Sequence, residues 1–171
     1  LNEIPTVVGT LITDEEEARA LRVPEVGGAR TGLYLKAARL ACRLVDDRPV
    51  LAGMIGPFSL AGRLMEVSEA LANCLADPDF IIAALEKTTE FLIKYATAYK
   101  STGVVGILMA EPLAGLLSPE LEREFSAPYV KRITDAVSDD NFCIFYHNCG
   151  ANTPGMTESL SANGAVAYHF G

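Results

Sequence analysis

The sequence predicts an α/β protein of parallel βα units, read as part of a (β/α)₈ barrel, and three observations lead there. Short apolar runs alternate with longer helical patterns along the chain. The runs are apolar throughout and do not alternate with polar residues, as expected of strands shielded on both faces. Several of them end on polar or conformationally special residues, namely Gly56-Pro57, Glu111-Pro112, His147-x-Cys149 and His169. The connections are too long for hairpins, so the strands are expected to run parallel. That leaves an open doubly wound sheet or a closed barrel. Neither a G-x-G-x-x-G nor a P-loop is present, so the usual phosphate-binding marks of open sheets are missing. Barrels collect polar strand-end residues at their carboxyl rim, and a full barrel takes ~250 residues, so this chain would supply about five of the eight units.

The elements follow in order. Ile4-Pro5-Thr6-Val7-Val8-Gly9 reads as a short strand, Asp14 to Leu21 as a brief acidic helix, and Gly27-Gly28 as a turn. A longer helix is expected from about Thr31 to Val45, with Leu33, Ala37, Leu40, Ala41 and Leu44 as its apolar stripe. Pro49 to Ile55 is a continuous apolar strand stopped by Gly56-Pro57, and Phe58 to Met65 a helical turn or short helix. Asp77-Pro78-Asp79 opens the next helix: Asp77 can cap free N–H groups, Pro78 fits the first helical position, and Asp79 suits the positive end of the dipole. Apolar residues recur at helical spacing from Phe80 to Tyr95, and the helix runs to about Tyr99. Val104 to Met109 is the next strand, and Ser118-Pro119-Glu120 begins a helix that Pro128 should kink or split. Phe142 to Tyr146 and Ala165 to Tyr168 are the last strands, with a cap-like Thr153-Pro154 between them.

The bulk composition narrows the function. The 171 residues carry 14 basic and 22 acidic side chains, a formal net charge of -8, with no basic cluster to offset it. Such a surface repels phosphate backbones, which argues against nucleic acid as a partner. No apolar run approaches the ~18 residues of a membrane helix. The four cysteines, Cys42, Cys74, Cys143 and Cys149, are irregularly spaced and no export signal precedes them. A reducing, cytoplasmic setting is therefore expected, with thiols used for packing or metal. Residues 1–171 read as part of a single barrel domain. Such a piece would leave two sheet edges and an apolar interior open, so it is expected to belong to a larger chain or to pack against a second copy as a homo-oligomer.

Both histidines directly follow predicted strands. In His147-Asn148-Cys149-Gly150 the i and i+2 side chains can share one face of an extended segment. Imidazole and thiolate are both zinc ligands, and Gly150 permits a sharp turn after them. Two donors do not complete a zinc site, and a core thiol beside a hydrogen-bonded histidine is the plainer alternative. Glu111, at a neighbouring strand end, reads either as a rim carboxylate in an ion pair or as a metal or substrate contact. Arg63 can meet an anionic group or snorkel to solvent. Cys143 reads as packing, Cys42 and Cys74 as structural.

The segment Ile55-Gly56-Pro57-Phe58-Ser59-Leu60-Ala61-Gly62-Arg63-Leu64 resembles the G-P-F-[ST]-L-A-x-x-L stretch of the uroporphyrinogen decarboxylase superfamily. Met109-Ala110-Glu111-Pro112, Leu117-Ser118-Pro119, Phe125-x-x-Pro128-Tyr129 and Tyr146-His147-Asn148-Cys149-Gly150 follow in the order of the branch containing the methylcobamide:coenzyme M methyltransferases. The likeness covers roughly residues 48–171. It implies a (β/α)₈ barrel and a zinc site using His147, Cys149 and a second cysteine nearer the C-terminus, to which no residue here corresponds. It implies Glu111, His147 and Cys149 as catalytic residues, with Glu111 at a position commonly Asp in the superfamily. Gly56, Pro57, Phe58 and Arg63 would contact the cofactor. The implied reaction moves a methyl group from a methylated corrinoid (methylcobamide), brought by a carrier protein, to a thiol such as coenzyme M, which zinc holds as thiolate. Two rivals are a metal-independent tetrapyrrole decarboxylase and a non-catalytic barrel that binds corrinoid or porphyrin.

Overall fold

The computed structural model describes residues 7–171. At its centre four parallel strands lie side by side in sequence order: β1 (Leu51–Ile55), β2 (Gly106–Ala110), β3 (Cys143–Asn148) and β4 (Ala167–Phe170). Helices α1 (Glu15–Ala20) and α2 (Thr31–Leu44) precede β1. Helices α3 (Pro57–Met65), α4 (Val67–Ala76) and α5 (Pro78–Lys100) join β1 to β2, α6 (Pro119–Phe125) and α7 (Ala127–Val137) join β2 to β3, and α8 (Thr157–Ser161) joins β3 to β4. Strand order 1-2-3-4 is that of consecutive barrel staves; a doubly wound sheet reverses its order at a switch point. The fold is that of a (β/α)₈ barrel, represented by four strands among the described residues.

Local chemistry accounts for most helix starts. The Asp77 carboxylate accepts the Phe80 N–H at 3.3 Å, with Pro78 in the first turn of α5. Ser118 Oγ likewise accepts the Leu121 N–H at 3.3 Å at the start of α6. Pro128 falls in the first turn of α7, so the proline divides the expected helix into two and both halves keep good geometry. Between α3 and α4 the chain turns at Glu66 with φ +84°, a left-handed conformation unusual for a residue with a side chain.

Alternation along the strands separates two faces. Ala52, Met54, Ile107, Met109, Ile144 and Tyr146 are buried beneath the helices. The opposite face carries registered rows: Leu51, Gly106 and Cys143; then Gly53, Leu108, Phe145 and Ala167; then Ile55, Ala110, His147 and His169. Leu51 and Leu108 stay 40% and 42% exposed, so this face is only partly covered. In a closed barrel the same rows point into the interior.

Three sequence expectations need correction. Among the described residues four strands form the sheet: of the first expected strand, residues 4–6 lie outside them, and Val7 to Gly9 are irregular and exposed. The stripe expected on α2 is rotated, since Leu33, Leu40 and Leu44 are exposed while Leu35, Ala38 and Cys42 pack on the core. Helix α4 had no expected bounds, although Cys74 was expected on a helical segment, and it buries Ala70 and Cys74.

Candidate functional site at the carboxyl rim of the sheet

His147 is the penultimate residue of β3 and pairs in register with His169 of β4 and Ala110 of β2. Strand parity turns both histidines toward the interior face. Their rings lie 4.9 Å apart between centroids. His147 Nδ1 is 2.8 Å from His169 Nδ1 and 3.2 Å from the His169 carbonyl oxygen. On the other flank the β2 neighbour of His147 is the small side chain of Ala110.

Cys149 is exposed and unpaired, at the first residue beyond β3. The loop that carries it is held from both sides. Asn148 is fully buried, and its Oδ1 accepts the Gly150 N–H at 2.9 Å and the Thr153 hydroxyl at 3.1 Å. Its Nδ2 donates to the Tyr146 hydroxyl at 3.3 Å. This is an Asx turn, in which a side-chain carbonyl replaces a backbone one. Gly150 lies against Gly115 so closely that a Cβ on Gly150 would come 2.6 Å from the Gly115 carbonyl oxygen. The Asn152 N–H donates to that same carbonyl at 3.0 Å. Glycine is required at both positions because the two backbones touch.

Glu111 lies one residue beyond β2, on the face opposite His147. It is fully buried, and its carboxylate accepts the N–H groups of Phe58 at 3.0 Å and Ser59 at 2.6 Å. Helix α3 has no side-chain cap of its own, because its N-cap is Gly56. Glu111 therefore caps α3 from the neighbouring strand, with its negative charge at the positive end of the helix. A Cβ on Gly56 would overlap the Glu111 carboxylate. Burial pushes the Glu111 carboxyl up to about 7, against the opposing pull of its hydrogen bonds to Ser59 and Phe58. Glu122, also buried, is shifted upward by burial, and the Ser159 hydroxyl donates to it.

The proposed site residues thus fall into three groups. Arg63 and Cys149 line one cleft of about 330 Å³ at the strand ends, with Ile55, Ser59, Leu113 and Leu116. His147 pairs with His169 on the interior face. Gly56, Pro57 and Phe58 are buried in the first turn of α3, where Phe58 gives its N–H to Glu111 and the Pro57 carbonyl accepts the Thr88 hydroxyl at 3.2 Å. The sequence assigned no role to Asn148 or Gly115, and to Thr153 only a cap-like one with Pro154. Of the first two, only the Asn in His-Asn-Cys-Gly carried a signal, as a residue given to side-chain turns. Among the described residues no three His, Cys, Asp or Glu side chains surround a common point. A zinc site uses three or four protein ligands; His147 and Cys149 are of ligand types it takes, and they stand in two different groups here.

The comparisons with known proteins agree with the fold. The profile described as uroporphyrinogen decarboxylase (URO-D) matches residues 2–170. The methylcobamide:CoM methyltransferase MtbA of Methanosarcina acetivorans is 28% identical over 92% of this chain and 47% of its own length. The methylcobamide:CoM methyltransferase MtaA of Methanosarcina barkeri is 32% identical over 87% of this chain and 44% of its own. A uroporphyrinogen decarboxylase of Coxiella burnetii is 29% identical over 77% of this chain and 38% of its own. Among solved structures, a methyltransferase from Methanosarcina mazei superposes with a TM-score of 0.84 at 26% identity, over 98% of this chain and 49% of that one. The chain spans about half the length of these methyltransferases.

Proposed function

The chain belongs to the uroporphyrinogen decarboxylase family, and on that footing we propose that it takes part in zinc-dependent methyl transfer from a methylated corrinoid to a thiol such as coenzyme M. The observation that carries this reading is the rim itself: an exposed thiol, Cys149, on a loop fixed by the Asn148 turn, one residue from His147. The methylcobamide:CoM methyltransferases among its relatives support the choice of donor and acceptor.

In this reading His147 and Cys149 are zinc ligands, two of the three or four that a zinc site uses. When bound, zinc supplies a Lewis acid that holds the acceptor sulfur as thiolate. One bond forms, sulfur to methyl; one breaks, methyl to cobalt, and its electron pair leaves on cobalt. Arg63, on the cleft wall beside Cys149, is placed to meet an anionic group of the acceptor, such as the sulfonate of coenzyme M. Glu111, with Gly56, Pro57 and Phe58, keeps the first turn of α3 in place beneath that wall. A corrinoid carrier protein docks at the rim, in a cytoplasmic setting.

Methyl transfer from methylcobalamin to coenzyme M by the intact protein, followed by the corrinoid absorbance, tests the proposal. Turnover that disappears in His147→Ala and Cys149→Ala is the expected result. The similarity to uroporphyrinogen decarboxylases keeps a second reading in view. Decarboxylation of a tetrapyrrole with no thiol methylation would establish that reading and dismiss methyl transfer.

A further inference from the structure

Resting on the reading of His147 as a metal ligand, we propose that His169 is a positioning residue: it fixes His147 in the tautomer protonated on Nδ1 and so leaves the Nε2 lone pair for the metal. A carbonyl oxygen can only accept a hydrogen bond. The approach of His147 Nδ1 to the His169 carbonyl oxygen, at 3.2 Å, is therefore satisfied only if that nitrogen carries the proton. The same N–H reaches His169 Nδ1 at 2.8 Å when His169 offers its lone pair there and keeps its own proton on Nε2. One assignment satisfies both contacts, and it protonates His147 on Nδ1. A free neutral imidazole side chain prefers the opposite tautomer, so the fold imposes this one.

The register of β3 and β4 is the origin of the effect. It sets His147 directly opposite His169 on the interior face, whereas the β2 neighbour, Ala110, offers no side-chain acceptor. A metal-bound histidine usually gives its second N–H to a carboxylate, a carbonyl or water, which fixes ring and tautomer and raises ligand basicity. Among the described residues the hydrogen-bond partners of the His147 ring are both atoms of His169. The nearest buried carboxylate along β2, Glu111, is spent on α3.

Long-range proton–nitrogen correlation spectra of the intact protein, labelled on histidine and freed of metal, read the tautomer of each neutral ring. The expected result is Nδ1–H for His147, relaxing toward Nε2–H in His169→Ala and restored in His169→Asn, whose amide oxygen can occupy the position of the ring Nδ1. An Nε2–H ring in the unsubstituted protein, or a His147 tautomer indifferent to His169→Ala, overturns the proposal. Zinc competition titration supplies a second readout, with affinity expected to fall ~10–100-fold in His169→Ala. The visible spectrum of the cobalt(II)-substituted protein should keep its ligand signature in that variant. A lost ligand signature would make His169 itself a ligand and overturn the positioning role. Failure of the intact protein to bind zinc defeats the metal reading of His147, while the tautomer measurement still decides whether His169 sets its proton.

Discussion

Removing the Glu111 carboxylate should uncap α3 and, in the same stroke, make Gly56 replaceable. Two buried N–H groups, those of Phe58 and Ser59, lose their acceptor in Glu111→Ala. A buried donor left unpaired costs ~1–3 kcal/mol. Relief of the carboxylate's own burial, which already raises its pKa to about 7, offsets part of that loss. A net destabilisation of ~2–4 kcal/mol follows. Gly56→Ala in the unsubstituted protein forces a methyl group into the carboxylate, for which overpacking costs of ~1–3 kcal/mol are typical. With Glu111 truncated to Ala the carboxylate is gone and only its Cβ, 3.0 Å away, still crowds the methyl group, so the second substitution should add less than it does alone. Urea denaturation of the two single variants and the double variant yields the coupling, expected to exceed ~1 kcal/mol. Additive effects within ~0.5 kcal/mol would refute the claim that Glu111 and Gly56 form one unit.

Further predictions follow from the same geometry. Because the folded state raises the Glu111 pKa from 4.5 to about 7, it holds the proton more tightly than the unfolded chain. The resulting stabilisation is complete below about 4.5 and is lost as pH rises through about 7, with a slope of up to ~1.4 kcal/mol per pH unit. Stability curves for Glu111→Gln should lack that slope; identical slopes would remove Glu111 as its source. Asn148→Ala deletes the acceptor for the Gly150 N–H and the Thr153 hydroxyl, which should cost ~1–3 kcal/mol and change the rate at which Cys149 is alkylated. An unaltered alkylation rate would mean that the Asx turn does not position the thiol. Gly150→Ala should lower the melting temperature by pushing the loop off Gly115. Asp77→Ala should cost ~1 kcal/mol through its lost cap and leave zinc affinity unchanged.

The sequence displayed the sheet well because its strands are short, apolar on both faces and bounded by glycine, proline or polar residues. Pro49 to Ile55 and Phe142 to Tyr146 needed no tertiary information to be read as strands. The first expected strand and the α2 stripe were misread for the opposite reason. Val7 and Val8 are apolar yet exposed, and Leu33, Leu40 and Leu44 mimic a buried face while α2 turns Leu35, Ala38 and Cys42 inward. Periodicity reports an amphipathic helix, but several apolar residues on both flanks leave its rotation undetermined. Helix α4 follows α3 after a single left-handed residue, Glu66, with none of the glycine that usually marks such a turn.

At the rim, both histidines were expected directly after their strands; β3 runs on through Asn148 and β4 through Phe170, so His147 and His169 lie within them and Cys149 stands just beyond. It could not tell which face Glu111 occupies, since parity depends on where β2 ends. One residue beyond Ala110, the side chain turns under the helices and becomes the cap of α3. The partnership of His147 with His169, twenty-two positions apart, depends on the β3–β4 register, which no local pattern encodes.

The proposed function turns on His147 and Cys149 holding zinc. Its most direct test is the zinc content of the intact protein, purified under reducing conditions, together with His147→Ala and Cys149→Ala. Stoichiometric zinc in the unsubstituted protein, lost in both folded variants, is the predicted result. Metal-free protein that still turns over, or zinc retained in both variants, would contradict it.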